Sequence, residues 1–147
     1  MTNVNFEKKI DLIYFRAVNQ REIIFYDGEC GFCNQSVQFV LKYDSKKRFF
    51  FAPLQGAFAK GLFEDHGLQP DMSTFYFAVG EKLFERSSAG IRVLGKLRFP
   101  LNLMMMFIII PAPLRDIVYN AIAKRRHRIM SGYCVIPTEE QKKRFIS

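Results

Sequence analysis

The chain has 147 residues, 49% of them apolar and 16 of them Phe, enough to bury one full core without disulfide or metal staples. Its net charge is +8, and its three cysteines, an odd number, do not read as a disulfide framework. Residues 1–21 mix Glu7, Lys8, Lys9, Asp11 and Arg16 among apolar positions. That mixture excludes the pattern of a secretory signal and leads us to expect a cytoplasmic, reducing setting.

In chain order, Phe6, Ile10, Ile13, Tyr14 and Ala17 recur at helical spacing and predict a short amphipathic helix in the first twenty residues. Residues 22–27 hold the apolar run Ile23–Tyr26 and predict a central parallel strand. From Cys33 the apolar positions Val37, Val40 and Leu41 predict a helix of about three turns. Phe49-Phe50-Phe51-Ala52 is a second apolar strand, closed by Pro53. A helical stretch over 56–66 stops at Gly67. Two β runs, 74–79 and 82–85, flank Gly80-Glu81 and read as a hairpin. Ser87 or Ser88 is placed to cap the next helix, which carries Ile91, Leu94 and Leu97.

This order is β-α-β-α-β-β-α, with strands separated by helices read as parallel and the final hairpin as antiparallel. With a CxxC after the first strand, it is the order of the thioredoxin fold, an α/β class. Beyond Pro100, Leu101–Ile110 holds a single polar residue, Asn102, and is too short for a bilayer span of about 20 residues. A buried helix is the expected use, with interfacial membrane contact the other. Pro113 suits the first turn of a further helix whose stripe is Leu114, Ile117, Val118, Ala121 and Ile122. The expected organisation is an N-terminal extension over 1–21, a thioredoxin-like core over 22–99 and a C-terminal helical extension over 100–147 packed on the core.

The chemistry concentrates where the first strand meets the first helix, in Asp27-Gly28-Glu29-Cys30-Gly31-Phe32-Cys33. Unpaired N–H groups in a helix's first turn carry partial positive charge and favour a thiolate. A second thiol in reach allows thiol–disulfide exchange. Cys30 is the candidate nucleophile and Cys33 the resolving thiol. Asp27 has two readings: a proton acceptor for the resolving thiol, or the holder of an Asp-Gly turn through local hydrogen bonds. Asp27 and Glu29 oppose thiolate formation, while the helix start favours it. Phe32 is expected to offer an apolar surface to a partner.

CxxC also occurs in zinc sites and in plain structural pairs. Cys30, Cys33, His127 and Cys134 are the residues available for zinc, but His127 and Cys134 lack a standard ligand spacing. Cys134 otherwise reads as a small buried hydrophobe or a further thiol. His66 reads as a surface or capping residue at a helix end. Residues 115–147 carry eight Lys/Arg against three Asp/Glu. That permits an interaction or nucleic-acid module on the basic C-terminal helix, although no nucleic-acid motif accompanies it. The same cations Lys124, Arg125, Arg126 and Arg128 also complement a helix C-terminus.

Five ordered blocks resemble the DCC family of predicted thiol–disulfide oxidoreductases. They are Asp27-Gly28-x-Cys30-x-x-Cys33; Phe51-Ala52-Pro53-Leu54-Gln55-Gly56; Arg86-Ser87 with Ala89; Pro113-Leu114-Arg115-Asp116 with Val118-Tyr119; and Cys134-x-x-Pro137-Thr138 with Arg144-Phe145. At Ser88 the family usually carries an acidic residue. The resemblance covers about residues 22–146. It implies a thioredoxin-like fold and a disulfide-exchange activity, a reaction class without a substrate. For that chemistry at Cys30 and Cys33 the expected partner is a protein or low-molecular-weight thiol, with no cofactor and no metal.

Overall fold

The computed structural model describes residues 21–29, 31–72, 74–129 and 138–146, without the side chains of 31–34, 126, 127 and 129. The helix expected within residues 1–20 lies outside the described residues. The apolar run Glu22–Tyr26 forms β1, and α1 follows at Gly31–Tyr43. Then come β2 (Phe49–Pro53), α2 (Ala57–Asp65), β3 (Tyr76–Val79), β4 (Lys82–Glu85) and α3 (Arg86–Lys96). A 3-10 helix (Leu101–Ile109), α4 (Ala112–Ile129) and the short α5 (Glu139–Lys142) complete the order.

Four strands make one mixed sheet in the order β2-β1-β3-β4. β1 pairs with β2 in parallel, Ile24 opposite Phe51, and with β3 antiparallel, Ile24 opposite Phe77. The hairpin β3–β4 is antiparallel, and Gly80 turns it with a φ of +58° that favours glycine. With helices on both faces, this is the α/β arrangement of a thioredoxin-like fold. One expectation fails: β3 runs against β2 although α2 separates them. The connection over 66–75 is long enough to bring the chain back along the sheet before β3 begins.

Alternation along the strands divides the core into two layers. Ile23, Phe25, Ala52 and Tyr76 pack with Ala59, Leu62 and Phe63 of α2. Ile24, Phe49, Phe51 and Phe77 pack with Val37, Val40 and Leu41 of α1 and with Ala89 and Val93 of α3. Aromatic edges lock both layers: Phe25 meets Phe63 at 5.5 Å between ring centroids, and Phe49 meets Phe77 at 5.8 Å. Removing a ring such as that of Phe77 would cost about 3–5 kcal/mol, since the cavity closes only partly. α2 ends as expected, with Gly67 at a φ of +64° and the His66 ring nitrogen Nδ1 2.9 Å from the Leu62 carbonyl.

Three sequence expectations are corrected beyond α2. Neither Ser87 nor Ser88 caps α3; Glu85 stands at the cap without a side-chain bond, and Ser87 instead donates to Asp116 of α4. The run 101–110 is a 3-10 helix with no buried residue, lying against α3 where Met105 closes on Gly95. A Cβ at Gly95 would stand 2.9 Å from the Met105 sulfur. Finally, the apolar stripe of α4 faces outward, with Leu114, Ile117, Val118 and Ile122 all exposed. Polar anchors on the opposite side of the helix decide this orientation. Asp116 accepts from Ser87, the Tyr119 hydroxyl accepts from Phe75 N at 2.9 Å, and Arg115 Nε donates to the Ile110 carbonyl at 2.9 Å.

The far end of the chain returns to the sheet. Thr138 caps α5 reciprocally with Gln141. Phe145 then bridges Phe51 in parallel, and Ile146 N donates to the Phe51 carbonyl at 2.7 Å. This covers the outer edge of β2, which a sheet leaves unpaired.

Candidate active site

The candidate site is the turn between β1 and α1. β1 ends at Tyr26, whose carbonyl accepts from Leu54 N at 2.8 Å, so the ends of two parallel strands are tied together. Asp27 Oδ1 accepts from Glu29 N at 3.0 Å, an Asx turn of the kind Asp-Gly favours. The same oxygen accepts from Gln55 Nε2 at 2.7 Å, and the Gln55 carbonyl oxygen accepts from Gly28 N at 3.1 Å. One amide side chain therefore clamps the turn from both sides. A carboxylate acceptor strengthens one of these bonds.

α1 begins at Gly31, and its first turn holds no acidic residue. Cys33 is the third helical residue, so its backbone N–H belongs to the first turn, where no carbonyl four residues back is available. The N-terminal end of the helix dipole points at this turn. Cys30, Ser73 and Cys134 lie outside the described residues, as do the side chains of Phe32, Cys33 and His127. The thiol pairing and the zinc alternative therefore rest on the sequence. Asp27 is half-buried and Glu29 exposed, both next to the helix start.

Burial at the end of β1 pushes the Tyr26 hydroxyl above its ordinary value of 10.0. Its ring meets Phe145 edge-on at 6.2 Å between centroids. The clamp of Gln55 is not among the roles the sequence predicts. Its signal was its place in the Phe51–Gly56 block, but a contact across 27 positions has no local periodicity to betray it.

Two more of the sequence blocks meet nearby. Ser87 of α3 is bonded to Asp116 of α4, and Tyr119 of α4 holds the backbone of Phe75 just before β3. Arg115 Nη2 reaches Ser88 Oγ at 3.4 Å, and its Nη1 is buried with no hydrogen-bond partner among the described residues. These contacts hold α4 to α3 and to the start of β3.

The chain is 35% identical over 127 residues to the uncharacterised protein YuxK of Bacillus subtilis, covering 84% of this chain and 93% of that one. It is 27% identical over 115 residues to a chloroplastic DCC family protein of Arabidopsis thaliana, covering 77% of this chain and 67% of that one. No solved structure matches. Residues 24–131 match the family profile described as DCC1-like thiol-disulfide oxidoreductase. With the strand–turn–helix junction and the sheet order, these matches carry one conclusion: the chain belongs to the DCC1-like thiol-disulfide oxidoreductase family.

Proposed function

We propose that this protein exchanges disulfides through Cys30 and Cys33. Cys30, as thiolate, attacks one sulfur of a substrate disulfide. The substrate S–S bond breaks, one substrate thiolate leaves, and a mixed disulfide forms. Cys33, deprotonated in turn, attacks the Cys30 sulfur and releases the second substrate thiolate. Two electrons pass to the substrate, and the protein is left with a Cys30–Cys33 disulfide. The reverse sequence oxidises a dithiol.

The observation that supports this reading is the clamped β1–α1 turn, which sets Cys33 in the first turn of α1. Asp27 serves as turn-holder, since its Oδ1 already takes two hydrogen bonds. A proton-accepting role toward the resolving thiol is the narrower second use of the same carboxylate. The substrate is a protein or a low-molecular-weight disulfide, and the setting is the cytoplasm. Among the described residues no helix is long and apolar enough to cross a membrane.

Thiolate absorbance against pH, with a glutathione redox titration, tests the proposal. We expect a reversible Cys30–Cys33 disulfide and a Cys30 pKa below the free-cysteine value of about 8.5. A Cys33→Ser variant should accumulate a mixed disulfide with its partner. A Cys30 pKa above that value, with no disulfide at any glutathione ratio, would overturn the assignment.

A further inference from the structure

α4 is built inside out. Its polar residues Arg115, Asp116 and Tyr119 turn toward the protein and are bonded there. Its apolar stripe turns to solvent, with Ile117 65% and Val118 61% exposed. An isolated exposed Ile needs no explanation, but a continuous apolar face on an anchored helix does. The preceding 3-10 helix is apolar and exposed as well: Met106 is 68% and Ile109 82% exposed, and none of its residues is buried.

Charge identifies the occupant. At 3.6 residues per turn, Lys124, Arg125 and Arg128 fall on the same side of α4 as Leu114, Ile117 and Val118, and all three cations are exposed. Asp116, the one acid in the α4 sequence, is turned inward onto Ser87. The outward face thus combines apolar side chains with charge of one sign. A second copy of this chain, itself of net charge +8, would set the same three cations against that face. The apolar run is too short to span a bilayer, which needs about 20 residues.

We propose that the 3-10 helix and the outward face of α4 form a docking surface for an anionic lipid bilayer. The apolar side chains enter the boundary between headgroups and acyl chains, and Lys124, Arg125 and Arg128 meet the negatively charged headgroups. Such a surface would hold the thiol chemistry beside a membrane without crossing it.

Flotation of the full chain with vesicles tests this. The vesicles are phosphatidylcholine alone or phosphatidylcholine with phosphatidylglycerol, at low and high salt. We expect binding to the anionic vesicles, weakened by salt. Changing Lys124, Arg125 and Arg128 together to Gln should weaken it on the order of a hundredfold. Ile117→Asp should abolish it. A benzophenone side chain at Ile117 should crosslink to lipid.

No flotation at low salt, or equal flotation with neutral and anionic vesicles, would overturn the proposal. So would a crosslink from position 117 to a second copy of the chain or to residues 1–20 while vesicles are present. The unsubstituted protein's flotation decides the matter even if a substituted chain fails to fold.

Discussion

At the scale of single residues, Gln55 separates the two readings of Asp27. If the carboxylate is a turn-holder, Asp27→Asn keeps the Oδ1 acceptor and should change stability by less than about 1 kcal/mol. Gln55→Ala removes both clamp bonds and should cost about 1–2 kcal/mol, read from urea midpoints. A larger loss from Asp27→Asn than from Gln55→Ala would refute the turn role. Tyr26 carries the pH prediction. Its folded-state pKa is raised by burial, so the native state holds the phenol proton more tightly than the unfolded chain. That stabilisation is fully present below 10.0 and is lost as pH rises through the folded value. A Tyr26→Phe variant should therefore lose less stability than the parent between neutral and strongly alkaline pH. Equal losses in the two proteins would count against it.

At the scale of elements, the α3–α4 contact is polar and incomplete. Arg115 reaches Ser88 at only 3.4 Å and leaves Nη1 buried without a partner among the described residues. Ser88→Asp would place a carboxylate against that guanidinium, in the first turn of α3 where negative charge is also favoured. We expect a gain of about 1–2 kcal/mol in the unfolding free energy, and Arg115→Gln in the same background should erase it. The same contact explains what the sequence could and could not reveal. Ile23–Tyr26, Gly67 and Gly80 announce a strand, a helix end and a hairpin because each obeys a local rule. The outward turn of α4 obeys none. Its stripe of Leu114, Ile117, Val118 and Ile122 reads as a core face, and only the partners Ser87 and Phe75, distant in sequence, reverse it. The direction of β3 escaped for a like reason, since it depends on the path of a connection and not on periodicity.

At the scale of the whole molecule, one ion pair fastens the end of the chain to its middle. Arg144 bonds Asp44, whose side chain is 1% exposed, and donates through Nε to the Phe49 carbonyl at 2.9 Å. Asp44 also accepts from Phe49 N at 3.1 Å. Asp44→Ala leaves a largely buried guanidinium without its counter-charge and should cost about 3–5 kcal/mol. Adding Arg144→Met should recover part of that loss, a coupling that a urea double-mutant cycle would measure. Nothing in the local pattern of either residue marks this pair. The blocks around Phe51 and Arg144-Phe145 were legible as family features, but not as neighbours in one sheet. Their separation also has a consequence in time. Arg144 follows Phe49 by 95 positions, so a growing chain can pair β1 with β2 long before the segment that covers the β2 edge has been made. At about 5–20 residues per second, that edge stays open for roughly 5–20 s of synthesis. In that interval Phe49-Phe50-Phe51 is a template for any passing strand, and the newborn protein is most exposed to aggregation before its redox chemistry can begin.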